Sequence, residues 1–267
     1  MYDLTLARNI SFGSITDELV ASYVDAGIRN VEISPGGILP TFGPADLGEV
    51  VRRIGILRAH GVTVQSVHLP FGWDWDASAV TPGQHQFLLR RQLAVAEAFL
   101  PARPARFVLH PCYWPIPESE DAVRIAHIRE NAAASARETG VPVALEDLKI
   151  PRIGGSSEEL LVLAEGLDNV GFCVDMNHFM RERAEDAIAR LGSRILTVHI
   201  SDYDFLDERH WLPGEGKNDW NAILGALERV GYAGPFMYEV RAYYTPAAVA
   251  DNKRRLFAAF NAQNAHT

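Results

Sequence analysis

The sequence predicts an α/β protein folded as one (β/α)8 barrel over residues 1–267, and three observations carry that expectation. Short β-rich runs alternate eight times with longer helical patterns, the order expected of parallel strands joined by right-handed crossovers. The segment after the first run, Ile10 to Ser14, reads ISFGS and lacks the glycine fingerprint of an open, doubly wound sheet. The length also suits a single barrel, for which about 250 residues is usual.

The strand candidates are 4–10, 30–33, 62–68, 106–110, 142–146, 170–175, 195–201 and 235–239, each short and rich in branched or aromatic residues. Helical patterns fill 16–26, 46–60, 82–100, 119–139, 157–167, 181–191, 220–230 and 245–261. Thr16, Ser119 and Ser156, each followed by acidic residues, read as helix N-caps. Gly27, Gly61, Gly140 and Gly231 stand where a helix must stop and turn into the next strand. Nothing in the chain reads as a domain linker, a low-complexity tract or a block of like charge.

An apolar fraction of 48% is ample for one core. The net charge of −9, with only Lys149, Lys217 and Lys253 as lysines and no basic run, gives no support to nucleic-acid binding. A small neutral or anionic metabolite is the expected partner. Two cysteines, Cys112 and Cys173, are too few for a disulfide framework. With no signal-peptide pattern and no long apolar run, the expected location is the cytoplasm, away from membranes. Cys112 reads as a free surface thiol and Cys173 as barrel packing.

Chemistry is expected where polar residues fall at strand ends. His68, His110, Glu146, Asp175, His199 and Glu239 each sit at or near the end of a strand candidate, and Glu32 lies within the second. Carboxyl ends of barrel strands converge on one mouth, so these groups would face one another. Taken singly, a strand-end histidine reads as structural and a carboxylate as a cap for the next helix. That bland reading would have to hold independently on six strands, and gathering so many ionisable groups without a function is costly. Mixed carboxylate and imidazole ligands suit a divalent ion such as Mn2+, Co2+ or Zn2+, with Mg2+ also admissible. The loop 213–216, PGEG, reads as a structural turn, because Glu215 argues against an anion nest.

The stretches ALEDL (144–148), GFCVDMNH (171–178), VHISD (198–202), RHWLPGEGKNDW (209–220) and PFMYE (235–239) resemble the xylose isomerase-like barrel superfamily. That superfamily includes sugar and sugar-phosphate isomerases and epimerases and the endonuclease IV group. The resemblance implies a metal site of Glu146, Asp175, His199 and Glu239, with His178 and Arg209 holding substrate. It also aligns His68, His110, Glu208 and His210 with further zinc ligands of the endonuclease IV group, which has aspartate where Glu208 stands. Otherwise His68 and His110 are expected to contact substrate. Ketose 3-epimerases carry another glutamate six residues after the first metal-binding one, where this chain has Arg152.

The expected reaction is isomerisation or epimerisation of a small sugar, sugar phosphate or polyol. A cation would stabilise an enediolate while Glu146 and Glu239 move the proton. His178 and Arg209 would fix the substrate oxygens. Aromatic residues crowding the same loops (Phe12, Phe71, Trp73, Trp75, Tyr113, Trp114, Phe179, Trp211, Tyr243) suit the C–H faces of a sugar. Packing against the barrel or within a homo-oligomer is the competing reading for each of them. The alternatives are a multi-zinc phosphodiester hydrolase of the endonuclease IV kind, and a dehydratase or lyase of keto-sugars or inososes.

Overall fold

The structure is a computed structural model that describes residues 1–35, 44–113, 118–149 and 153–265. Its strands are β1 (Thr5–Ser11), β2 (Asn30–Ser34), β3 (Thr63–His68), β4 (Arg106–Leu109), β5 (Val143–Glu146), β6 (Val170–Asp175), β7 (Ile195–Ile200) and β8 (Pro235–Tyr238). They close in sequence order into a parallel barrel, β8 pairing back onto β1 with Arg8 opposite Tyr238. The helices α1 (Asp17–Asp25), α2 (Pro44–Ala59), α3 (Pro82–Phe99), α4 (Asp121–Thr139), α5 (Ser157–Leu163), α6 (Ala184–Leu191), α7 (Trp220–Arg229) and α8 (Pro246–Asn264) follow the strands one by one. None of the helices, among the described residues, is long and apolar enough to cross a membrane.

Local signals explain most boundaries. The Thr16 and Ser156 side chains accept hydrogen bonds from the backbone N–H of Leu19 and Glu159, so both act as caps. Ser119 does not: α4 starts after Glu120, which provides no side-chain cap. Helix α6 begins only at Ala184, later than 181, and α5 ends at Leu163 rather than 167. All four stop-signal glycines have positive φ, as at Gly140 (68°), whose left-handed turn ends α4.

The main apolar core lies between barrel and helices. Phe107, Phe172 and Phe236 point outward into it and are fully buried. Burying each such side chain contributes about 1.5–3 kcal/mol. Inside the barrel the apolar set is small: Val108, Ala144 and Cys173, with Leu196 packed against them. Gly171 is needed where β6 meets β7, since a Cβ there would stand 2.4 Å from the Arg194 carbonyl oxygen. Polar side chains also occupy the interior, with Glu32, Ser66, Thr197 and His199 fully buried. Such an interior costs stability unless it is satisfied, and it lies directly beneath the mouth that carries the candidate site.

Cys173 belongs to this inner packing, as expected, with burial pushing its thiol well up. Cys112 is not a surface thiol. It is buried, with Sγ 3.4 Å from the Ile153 carbonyl oxygen, because the loop after β4 folds under the residues that follow β5.

Candidate metal centre

The barrel brings the strand-end residues together. His68, Glu146 and Asp175 are the last residues of β3, β5 and β6; His199 is the penultimate residue of β7; His110 and Glu239 immediately follow β4 and β8. Asp175 is in register with His199, and His199 with Met237, so the side chains of alternate positions enter the mouth together. His199 is at the centre. Its Nδ1 lies 2.8 Å from Glu239 Oε2, 3.2 Å from Glu146 Oε1 and 3.9 Å from Asp175 Oδ2. One ligand atom from each of Glu146, Asp175, His199 and Glu239 falls within 4.8 Å of all the others.

A second group shares Glu146. Its Oε2 is 3.0 Å from His68 Nε2 and 3.2 Å from His110 Nε2, and these three residues also satisfy the spacing of a ligand set. Glu146 therefore turns one oxygen to each group. His178 stands on the other flank, with Nε2 3.6 Å from Asp175 Oδ2 and 3.8 Å from Glu208 Oε1, and Nδ1 2.7 Å from the Asp147 carbonyl oxygen. His210 Nδ1 is 3.1 Å from the Glu239 carbonyl oxygen. Glu208 and His210 line the same cavity but belong to none of the close-packed ligand groups found among the described residues.

The electrostatics follow from burial and crowding. Burial disfavours the charged form of Glu146, but His199 and His110 outweigh it and hold its carboxyl well below the usual range. Glu239 feels the same opposition between burial and His199 and is brought down to about 2. Asp175 goes the other way, to about 6, because burial and the nearby Glu239 and Glu146 outweigh the attraction of His178. For His68 and His178, burial is overcome by carboxylates, chiefly Glu146 and Asp175 respectively, and both rise to about 9. Burial wins at His110, whose imidazole is lowered despite the Glu146 carboxylate beside it.

These groups fit a divalent cation. No lysine or arginine pairs with Glu146, Asp175 or Glu239 among the described residues; only imidazoles do. Asp175 Oδ2 is shielded from solvent and has no hydrogen-bond partner among them. A buried carboxylate oxygen left over in this way is what a cation would satisfy. The backbone supports the arrangement: Asp147 Oδ1 accepts the Asp175 N–H at 2.6 Å, and Asp175 Oδ1 accepts that of Asn177 at 2.8 Å.

The cavity above these residues has a volume of about 230 Å³. Phe71, Tyr113, Leu148 and Lys149 complete its lining with the residues already named. Phe71 stacks on His110 at 4.3 Å between ring centres. Of the other expected aromatics, Phe12 and Phe179 are buried in the core, and Trp75 packs under Arg91. Trp114 and Arg152 lie outside the described residues. Arg209 does not line the cavity; its guanidinium pairs with Asp204 at 2.8 Å and lies over the Trp211 ring. Lys149 was not singled out by sequence reasoning; it follows β5 by three residues and pairs with Asp207, and a lone lysine in a loop gives no signal of its own.

The PGEG loop is a turn wound around Asp202. Oδ1 of that residue accepts the N–H of Tyr203 and Asn218, and Oδ2 accepts those of Gly214 and the Trp220 indole. Gly216 passes so close that a Cβ would stand 2.3 Å from Asp202 Oδ1.

Closed parallel strands with a carboxylate–imidazole cluster at the mouth define a (β/α)8-barrel protein with a candidate metal centre. The chain belongs to the xylose isomerase-like TIM barrel family, whose model matches residues 20–259. It is 35% identical over 105 residues to an inosose isomerase of Bacillus velezensis, a match covering 35% of this chain and 37% of that protein. It is 29% identical over 118 residues to an uncharacterized protein, y4fM, of Sinorhizobium fredii, covering 41% and 37%. The chain thus spans little more than a third of the curated relatives it matches. Among solved structures it resembles a D-tagatose 3-epimerase-like protein (TM-score 0.79, 19% identity, 96% and 98% of the two chains). It also resembles the D-psicose 3-epimerase of Clostridium cellulolyticum determined with D-tagatose (0.73, 16%, 96% and 98%). A third neighbour is the 3-keto-D-glucoside 4-epimerase of E. coli (0.72, 17%, 96% and 100%). At these identities the likeness is one of fold.

Proposed function

We propose that this protein is a metal-dependent isomerase or epimerase of a small sugar, sugar phosphate or related polyol. The observation that carries this reading is the convergence of Glu146, Asp175 and Glu239 on His199 Nδ1, from four strands, beneath a small cavity with an aromatic wall. The inosose isomerase relative and the epimerase neighbours support it. Glu146, Asp175, His199 and Glu239 would hold the ion. When bound, a divalent cation polarises a carbonyl and its neighbouring hydroxyl and so acidifies the C–H between them.

The chain's own residues supply the rest. Glu146 and Glu239 approach His199 from different strands and are the carboxylates placed to carry the proton. A base on each side of the substrate carbon is what inversion requires. His178, Lys149 and His210 stand in the lining as donors for substrate oxygens, and Phe71 packs against His68 and His110 in the same lining. Arg209 reaches substrate only if its pair with Asp204 opens. Loss of a hydroxyl next to the acidified carbon would turn the same apparatus to dehydration, the inosose or keto-sugar variant of this reading.

One observation favours a second reading. Glu146 Oε2 is held between His68 and His110 rather than facing open cavity, as a carboxylate bridging two cations would be. A two-metal site would suit phosphodiester hydrolysis. Against it, the net charge is −9 and Lys149 is the one lysine or arginine in the described lining.

The experiment is incubation of the manganese-, cobalt- or zinc-loaded protein with ketoses, 3-keto sugars and inososes in heavy water, followed by NMR. Chelator-sensitive conversion with deuterium entering at the carbon beside the carbonyl is expected. Cleavage of a phosphodiester with no conversion of any carbonyl compound would replace the first reading with the second.

A further inference from the structure

A second cavity opens at the same end of the barrel, between α1 and α8, with a volume of about 400 Å³ and no lining residue in common with the site described above. Its floor is Arg8, on the outward face of β1. This arginine is only 4% exposed, yet it forms no ion pair among the described residues. One terminal nitrogen donates to the Tyr244 carbonyl oxygen at 2.8 Å, and the guanidinium lies over the Tyr23 ring at 5.4 Å. Nε is shielded from solvent and has no hydrogen-bond partner.

A buried guanidinium without a carboxylate is costly, and proteins usually satisfy it with an anion. The lining contains no aspartate or glutamate at all, although the chain carries 34 of them. Hydroxyls of Ser11, Ser14 and Tyr243 are present instead, together with the first residues of the 19-residue helix α8, capped by Thr245. The positive end of that helix favours negative charge. The carboxylate nearest in the bonding network, Glu215, is held by the Tyr244 hydroxyl and is not part of the lining.

We propose that this cavity binds a phosphate-type oxyanion, with Arg8 as its charged anchor. The volume exceeds what a bare phosphate needs and admits a small phosphorylated metabolite. The wall includes Val240, next in sequence to Glu239, so an occupant there would brace the loop that presents a proposed metal ligand.

The test uses the full chain, stripped of metal with a chelator so that the strand-end cluster offers no cation for phosphate to bind. The protein is titrated at constant ionic strength with inorganic phosphate and with glucose 6-phosphate, by calorimetry and 31P NMR. Saturable one-to-one binding is expected, weakened about tenfold or more in Arg8→Gln, the scale of one charged hydrogen-bond pair. Ser14→Glu, at an exposed position of the rim, should weaken it as well and serves if Arg8→Gln does not fold. Tighter binding of glucose 6-phosphate than of phosphate identifies a phosphorylated metabolite as the occupant, and equal binding identifies free phosphate. Absence of saturable binding to the wild type overturns the proposal. So does binding that Arg8→Gln and Ser14→Glu, whichever fold, leave unchanged.

Discussion

Glu32 Oε1 lies 3.0 Å from Nε2 of His199, while the other ring nitrogen faces Glu146, Asp175 and Glu239. Glu32 is itself held by the Ser66 hydroxyl, which donates to Oε2 at 2.6 Å. A buried carboxylate thus stands directly behind the ring. The two facing atoms, Glu32 Oε1 and His199 Nε2, are buried and make an ion pair without an aligned hydrogen bond. The charge of Glu32 behind the ring favours a proton on Nε2, which leaves Nδ1 free for a metal on the side of the three carboxylates.

Glu32→Gln should keep the barrel intact and weaken binding of a divalent ion about 10- to 100-fold, the usual effect of losing a carboxylate behind a ligating histidine. Titration with Mn2+ or Zn2+ against a competing chelator measures this. Wild-type affinity in the variant would show that His199 needs no such support.

The raised imidazoles set a pH dependence. His68 and His178 rise to about 9 from an ordinary value near 6.5, so in the metal-free protein both are protonated at neutral pH. Their contribution to stability is fully present below about pH 6.5 and is lost as pH rises through 9. Metal binding has the opposite sign, because ligands must be unprotonated. Raising pH from 6.5 to 9 should lower the melting temperature of metal-free protein while tightening metal binding. Calorimetry in two buffers of different ionisation enthalpy should detect protons released on binding at pH 7. Absence of proton release would contradict this coupling between the imidazoles and the ion.

Glu146→Gln and Glu239→Gln each keep size and one ligand oxygen but remove a base. Once a substrate is found, each should lower turnover by roughly two to four orders of magnitude. Isotope exchange with solvent should fall in the same proportion. Full turnover in both variants would remove proton transfer from these residues.

Asp202 gathers four donors of the loop after β7, and removing its carboxylate leaves them unpaired. Asp202→Ala should cost about 3 kcal/mol or more, each orphaned donor costing about 1–3. Urea unfolding measures it, and a change under 1 kcal/mol, on the order of one ordinary hydrogen bond, would contradict the role assigned to the residue.

Much of this was legible in the chain and some was not, for physical reasons. Eight alternations and the strand-end positions of His68, Glu146, Asp175 and Glu239 led directly to the barrel and its mouth, because parallel strands must point their carboxyl ends the same way. Boundaries moved at helix starts: Ser119 reads as a cap, but it lies within a 3-10 turn over Glu118–Glu120 and the α-helix begins at Asp121. The part played by Glu32 was hidden because its partner His199 is five strands away in sequence order, and only barrel closure sets them 3.0 Å apart. Arg209 shows the limit of carrying a role over by position, since the local attraction of Asp204 decides where its guanidinium rests.

The most direct test of the metal centre is elemental analysis of the purified wild type beside Asp175→Ala, both confirmed as folded by circular dichroism. Asp175 contributes the one solvent-shielded carboxylate oxygen of the four-residue set that lacks a hydrogen-bond partner, and it lies on none of the contacts that join His68 and His110 to Glu146. The wild type should carry at least one equivalent of a divalent ion, and the variant should lose that equivalent together with any sugar-converting activity. Equal metal content in the two proteins would contradict the assignment of Glu146, Asp175, His199 and Glu239 as the centre.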